Sequence, residues 1–331
     1  MICELEYKIF TTEDTEFEGL ALAVFQFQYK HNPLYRQYID LLSVNPSSVT
    51  SINKIPFLPI DFFKTHRVAT TDFSEEAIFE SSGTTQTTPS RHFIKDLSLY
   101  ERSFDTTFEN VYGRVSDWCI LGLLPAYLER ANSSLIFMVN KLITQSRNEH
   151  SGFYLYEYEK LSEVLKQLNK TGQKTLLIGV TFALLDFATN FPQPLENTTV
   201  IETGGMKGRR KEVTRHEVHE ILTNAFAMSA IHSEYGMTEL LSQAYSDGEG
   251  IFRCPKWMKM VLREEDDPSV VISTGRGLIN VIDLANMYSC SFIATDDIGI
   301  LHEDGGFEVL GRRDNSDLRG CSLMTAANSW F

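Results

Sequence analysis

Residues 175–202 read TLLIGVTFALLDFATNFPQPLENTTVIE, and this stretch decides the fold. Six apolar or β-branched residues (175–180) are followed by a helical pattern centred near Leu185, a proline-broken turn, and a second β-branched run at 199–202. A strand, a helix and a strand in that order form a crossover, which joins parallel strands. Working outward, strand candidates recur at 118–124, 152–156 and 230–235, with helices centred near Phe137, Leu165 and Val218. That alternation predicts an α/β fold with a parallel sheet flanked by helices. Thr214 followed by Glu217 has the spacing of a capping box and predicts a helix start.

Both ends of the chain have a different character. Phe17, Leu20, Ala21, Val24 and Phe25 recur at helical spacing, then Asn32-Pro33 interrupts and a second short helix follows. Residues 55–63 (IPFLPIDFF) carry two prolines among large apolar side chains and read as an extended segment packed on the core. Beyond the parallel region, residues 278–284, 291–295 and a hairpin over 299–311, turning at Asp304-Gly305-Gly306, predict a smaller, mostly antiparallel subdomain. The expected division is 1–245 for the helical opening and α/β core, and 246–331 for the β-rich unit and tail.

Composition narrows the function classes. The 331 residues are 43% apolar and 22% charged, an ordinary globular balance that excludes disorder and fibrous repeats. A formal net charge of -14 leaves no electrostatic footprint for nucleic acid or anionic membranes. The five cysteines are scattered with no CxxC spacing, so neither a zinc site nor a disulfide framework is indicated. Acidic residues near the N-terminus and the lack of a long apolar run predict neither export nor a membrane span, and hence a cytoplasmic protein.

Three segments carry candidate chemistry. Residues 80–91 (ESSGTTQTTPSR) set hydroxyl side chains around a glycine after a strand candidate, where amides and hydroxyls can wrap a polyphosphate. Residues 232–240 (HSEYGMTEL) run from a strand through a glycine into what reads as a helix opening. There Tyr235 can offer its face to a base, Thr238 can donate to a phosphate and Glu239 can hold a metal ion. Residues 295–299 (TDDIG) precede Arg312 in GRRD (311–314), so that Asp297 and Arg312 suit the hydroxyls of a ribose. Each segment alone is also what a polar turn, a core tyrosine or a solvated charge pair looks like.

In this order the segments resemble the acyl-adenylate-forming superfamily, with its SGTTG-type loop, YGxTE, TGD and GRxD motifs, and Gly204-Gly205 matches the glycine pair lining its adenine pocket. TGGMKGRRKE (203–212), TDDIG and RGCS (319–322) narrow the resemblance to the acyl-protein synthetase of the bacterial bioluminescence fatty-acid reductase, with the phenylacetate-CoA ligase group next. The resemblance implies ATP and Mg²⁺ as cofactors and a carboxylic acid, of the fatty class, as substrate. It implies Ser81, Ser82, Gly83, Thr84 and Thr85 on the β/γ-phosphates, Gly204, Gly205, Tyr235 and Gly236 around the adenine, and Asp297 and Arg312 on the ribose. Catalytic roles fall to Thr238, Glu239 and Arg91, with Glu239 as the metal ligand. Cys321 would take the acyl group from the adenylate as a thioester, with Arg319 lowering its pKa, and pass it to a protein such as a reductase or an acyltransferase.

The pattern also departs from the superfamily. Gln86 replaces a loop glycine, Ser90-Arg91 replaces proline-lysine, and Asp296 replaces the glycine of TGD. The lid domain and its lysine, which follow GRxD in that superfamily, are expected to be absent, with Lys207, Arg209, Arg210 and Lys211 supplying its charge. Phe182 and Met237 are candidates for the acyl pocket, and Cys119 reads as core. A CoA ligase of the phenylacetate type, or a non-catalytic nucleotide- or acyl-binding relative, remains open at this point.

Overall fold

The computed structural model of the protein describes residues 2–81, 88–125, 132–204, 214–267 and 270–313. The chain opens with helices Ile2–Thr11, Phe17–His31 and Pro33–Leu41. Phe17, Leu20, Ala21, Val24 and Phe25 are all buried, as their spacing requires. Asn32 separates the second and third helices. Its side chain accepts from the Tyr35 amide at 3.0 Å, while Pro33 occupies a position whose amide has no intrahelical partner.

The central sheet has the spatial order Gly152–Phe153, Cys119–Leu123, Thr175–Val180, Thr198–Thr203, His232–Tyr235 and Ala244–Ser246. All neighbours are parallel except the last pair. Every residue of Cys119–Leu123 and Thr175–Val180 is buried, as in a sheet covered on both faces. Helices Ser134–Ser146, Tyr158–Thr171, Thr181–Asn190 and Arg215–Phe226 supply the cover and the crossovers. The capping box at Thr214 and Glu217 is formed in both directions. Only two residues of the expected strand at 152–156 pair, because Gly152–Phe153 lies at the sheet edge.

A second sheet takes Phe292–Leu301 as its centre, with Gly275–Asp283 and Phe307–Arg312 antiparallel on either side. Met258–Arg263 and Val271–Ile272 extend it beyond Gly275–Asp283. One sequence expectation is corrected here. The separate strands at 291–295 and from 299 onward are one ten-residue strand, Phe292–Leu301, its ladder irregular near Asp297. The proline-rich segment contributes a short strand, Leu58–Pro59, parallel to Phe292–Leu301, so the N-terminal part is stitched into the C-terminal sheet. Ala77–Glu80 and Arg91–Ile94 form a separate hairpin whose connecting loop is the candidate phosphate loop. Among the described residues no helix is long and apolar enough to cross a membrane.

Candidate active site

Tyr235 ends a parallel strand, and ligands of open α/β sheets bind beyond such carboxyl ends. Its hydroxyl donates to Asp297 Oδ2 at 2.8 Å. Asp297 Oδ1 accepts from Arg312 Nε at 3.1 Å, and the two residues are cross-strand partners. Burial, followed by the neighbouring Asp297 carboxylate, pushes the Tyr235 phenol upward and keeps it a donor. The Tyr235 ring packs edge-on against Phe307 at 5.4 Å and beside Phe252 at 5.9 Å. Three residues from three distant motifs thus share one hydrogen-bonded cluster, and the Arg312 side chain is 65% exposed, free to meet a ligand.

Glu239 forms the other side. It is only 5% exposed, and burial raises its carboxyl pKa against the opposing pull of the Ser90 hydroxyl, Arg312 and Lys64. Ser90 closes the base of the phosphate loop: the Ser81 amide donates to the Ser90 carbonyl at 3.0 Å, and the Ser90 amide to Ser81 Oγ at 2.8 Å. Both ends of the loop are therefore pinned beside Glu239. Loop residues Ser82, Gly83, Thr84 and Thr85 lie outside the described residues, as do Gly205, the basic residues Lys207, Arg209, Arg210 and Lys211, and Arg319 and Cys321.

The segment after Tyr235 corrects the expected helix: Thr238 and Glu239 sit in a turn, followed by strand Ala244–Ser246. An irregular buried segment needs side chains to satisfy its backbone. Asp283 supplies part of this, accepting from the amides of Leu241 at 2.8 Å and Ser242 at 3.0 Å. Burial pushes the Asp283 carboxyl up to about 6, although these donors oppose the shift.

Gly236 lies over Glu234, and a Cβ placed there would meet Glu234 Oε1, so the end of that buried side chain would have to shift to admit one. Glu234 accepts from the Thr203 hydroxyl, and burial pushes its carboxyl up to about 7. Gly204 has φ +70, a left-handed conformation that favours glycine, and its carbonyl accepts from Thr181 Oγ1 at 2.6 Å. Two residues before Gly204, Glu202 is 5% exposed. Burial acts to raise its pKa, but His219, Arg215, Ser233 and Thr181 outweigh it and the carboxyl sits below its usual value. Arg215 donates to Glu202 at 3.1 Å and to the Val309 carbonyl at 3.1 Å, which ties the two sheets together.

The other expected site residues are placed as follows. Arg91 is exposed, with its guanidinium 5.7 Å from the Phe93 ring centre, on the strand face opposite His92. Phe182 is 7% exposed, Met237 is partly buried against the core, and Cys119 is fully buried with its thiol pushed up to about 11 by burial. Sequence reasoning missed His92, Glu234, Asp283 and Asn286. Only Glu234 carried a signal, a carboxylate directly before Tyr235 in the segment 232–240.

Comparisons with known proteins bear on the family and the fold. The family model described as acyl-protein synthetase, LuxE, matches residues 10–328. A long-chain-fatty-acid–luciferin-component ligase of Vibrio harveyi is 25% identical over 340 residues, covering 92% of this chain and 85% of its own. Among solved structures, a 2-hydroxyisobutyryl-CoA ligase in complex with 2-HIB-AMP and CoA superposes with a TM-score of 0.64 at 13% identity, over 93% of this chain and 70% of its own. ATP-bound MatB from Rhodopseudomonas palustris superposes with a TM-score of 0.56 at 16% identity, over 73% of this chain. The match spans 50% of the MatB chain, so this protein corresponds to about half of that structure. With the family model spanning nearly all of its length, the chain belongs to the LuxE acyl-protein synthetase family.

Proposed function

We propose that the protein activates a carboxylic acid as an acyl-adenylate with ATP and then takes the acyl group onto Cys321 as a thioester. The observation that carries this is the cluster of Tyr235, Asp297 and Arg312 with Glu239 and the base of the phosphate loop close by. Tyr235 offers an aromatic face to the adenine, and Asp297 with Arg312 offers an acceptor and a donor to the ribose hydroxyls. The relative's name supports a long-chain fatty acid as the substrate.

A carboxylate is a poor acyl donor because oxide would have to leave. Attack of a carboxylate oxygen on the α-phosphorus forms a new P–O bond and breaks the bond to pyrophosphate, which departs with its electron pair. Negative charge gathers on the phosphate oxygens, so fixed donors matter most, each contributing roughly 3 to 4 kcal/mol. Thr238 and Arg312 supply donors from the described residues. In the second step the Cys321 thiolate attacks the acyl carbon, a C–S bond forms, and AMP leaves with the former carboxylate oxygen. The receiving protein, a reductase or an acyltransferase, then takes the acyl group from the thioester.

Glu239 fits a magnesium ion. The hard oxygens of Glu239 and Ser90 meet in one place, and Mg²⁺ is usually held by one or two carboxylates plus substrate phosphates. Among the described residues no group of three or more His, Cys, Asp or Glu could hold a metal alone, consistent with a metal shared with the nucleotide. When bound, the ion would neutralise developing charge on the phosphates. Glu239 would hold it, and its buried carboxylate would gain a counter-charge.

Incubation with labelled fatty acid and ATP, without CoA, tests the reading. A hydroxylamine-labile label on the protein, absent from Cys321→Ser, is expected. Acyl-CoA formation with no protein label would instead assign a CoA ligase.

A further inference from the structure

We propose that His92 and Asn286 are positioning residues for adenylation, holding the backbone carbonyls of Thr238 and Glu239 and so fixing the aim of the Thr238 hydroxyl and the Glu239 carboxylate. The proposal rests on the assignment of Thr238 and Glu239 to the reacting phosphate.

Both residues are 1% exposed. His92 lies on strand Arg91–Ile94, two residues beyond Ser90, so it extends the exit of the phosphate loop. Its Nδ1 stands 2.8 Å from the Thr238 carbonyl and its Nε2 stands 2.9 Å from Asn286 Oδ1. Asn286 donates one amide hydrogen to the Glu239 carbonyl at 2.7 Å and the other to the Cys290 carbonyl at 3.0 Å. Using both hydrogens fixes which end of the amide is oxygen. The Phe63 ring packs perpendicular to His92 at 5.7 Å and closes a further side.

Two carbonyls in succession, those of Thr238 and Glu239, are thereby gripped from two elements. One is the exit strand of the phosphate loop, and the other is the turn Leu284–Asn286 that follows strand Gly275–Asp283. Ser90 adds a third contact, from its hydroxyl to the Glu239 carboxylate. No helix orders this segment, so its geometry depends on side chains reaching in from outside it. A side chain held to within about half an ångström by such partners is what phosphoryl-transfer chemistry requires of its ligands. Both ring nitrogens of His92 face oxygen acceptors, whereas a neutral imidazole has one N–H to give. The Thr238 carbonyl is the partner on the reacting segment, and an asparagine at position 92 can place its amide nitrogen where Nδ1 now sits.

The test is acid-dependent exchange of labelled pyrophosphate into ATP, measured on the full chain against Mg²⁺ concentration. For His92→Leu the exchange kcat is expected to fall about 10- to 100-fold and the Mg²⁺ half-saturation to rise, with the KM for the acid within about twofold of wild type. Asn286→Leu is expected to behave alike. His92→Asn should recover about tenfold of the lost kcat, because it restores the donor to Thr238 without restoring the ring. Rates are taken per folded molecule, so a purely structural role would lower the melting temperature and leave kcat and the Mg²⁺ half-saturation in place. That result, or His92→Asn no better than His92→Leu, overturns the proposal. Should His92→Leu fail to fold, His92→Asn against His92→Ser carries the same comparison. A wild-type protein that exchanges no pyrophosphate would instead overturn the adenylation reading, whereas full exchange in wild type and His92→Leu with loss in Glu239→Gln would overturn only the positioning role.

Discussion

The hydroxyl of Tyr235, at the end of the parallel sheet, donates to Asp297 in the middle strand of the antiparallel sheet across 2.8 Å. Sixty-two positions apart in sequence, the pair joins the two sheets at the proposed nucleotide site. Asp297→Ala leaves two donors without an acceptor, Tyr235 Oη and Arg312 Nε. Orphaning the buried Tyr235 hydroxyl costs about 1–3 kcal/mol and breaking the Arg312 ion pair adds to it, so Asp297→Ala should cost more stability than Tyr235→Phe, which removes one donor and leaves the Arg312 pair intact. Urea unfolding measures the difference. Asp297→Ala should also raise the KM for ATP at least about tenfold, as expected when about 1.4 kcal/mol or more of ribose binding is lost.

Glu239→Gln separates function from stability. Burial disfavours the charged carboxyl, so a neutral amide of the same shape should leave the melting temperature at pH 8 unchanged or higher. Activity should move the other way, with pyrophosphate exchange falling about 100-fold or more as a metal ligand is lost. A variant equally active and equally stable would remove Glu239 from the site.

Glu234 predicts a pH effect on stability. The carboxyl titrates near 4.5 when unfolded and near about 7 when folded, because burial raises it. Between these values the unfolded chain binds fewer protons than the native one, so this group lowers stability as pH rises through the window and by a constant amount above it. Glu234→Gln removes that titration. Its melting temperature relative to wild type should therefore climb between pH 4.5 and about 7 and then level off. A difference that stays flat across pH would contradict the assignment.

Phe307 supports Tyr235 by packing. It is 1% exposed, stacks on Phe252 at 5.3 Å and meets the Tyr235 ring edge-on. Phe307→Ala should cost about 3–5 kcal/mol in denaturant unfolding, with a further loss of ATP affinity as Tyr235 loses its backing.

Much of the scaffold was legible because its signals are local. The strand Thr175–Val180 and the capping box at Thr214 follow from adjacent residues, and both are present as expected. Tyr235, Asp297 and Arg312 were singled out in the sequence by residue type, and the structure brings the three together. What holds them in place was not legible. Asn286 and Asp283 satisfy the backbone at 238–242 from more than forty positions away, and His92 from almost one hundred and fifty. No periodicity or spacing carries such pairings. The expected helix after Tyr235 failed for the same reason: Thr238-Glu239 has the local look of a helix start, but tertiary hydrogen bonds from Asp283, Asn286 and His92 satisfy that backbone as a turn. Leu58–Pro59 joins a sheet whose other strands all lie beyond residue 257, a long-range pairing no local pattern announces.

The most direct measurement is exchange of labelled pyrophosphate into ATP by the purified protein, with and without a long-chain fatty acid. Exchange that needs the acid and collapses in both Asp297→Ala and Glu239→Gln is the predicted result, since each variant strikes a different end of one nucleotide cleft. An acid-independent signal, or undiminished exchange in both variants, would mean that these residues do not enclose a reacting ATP.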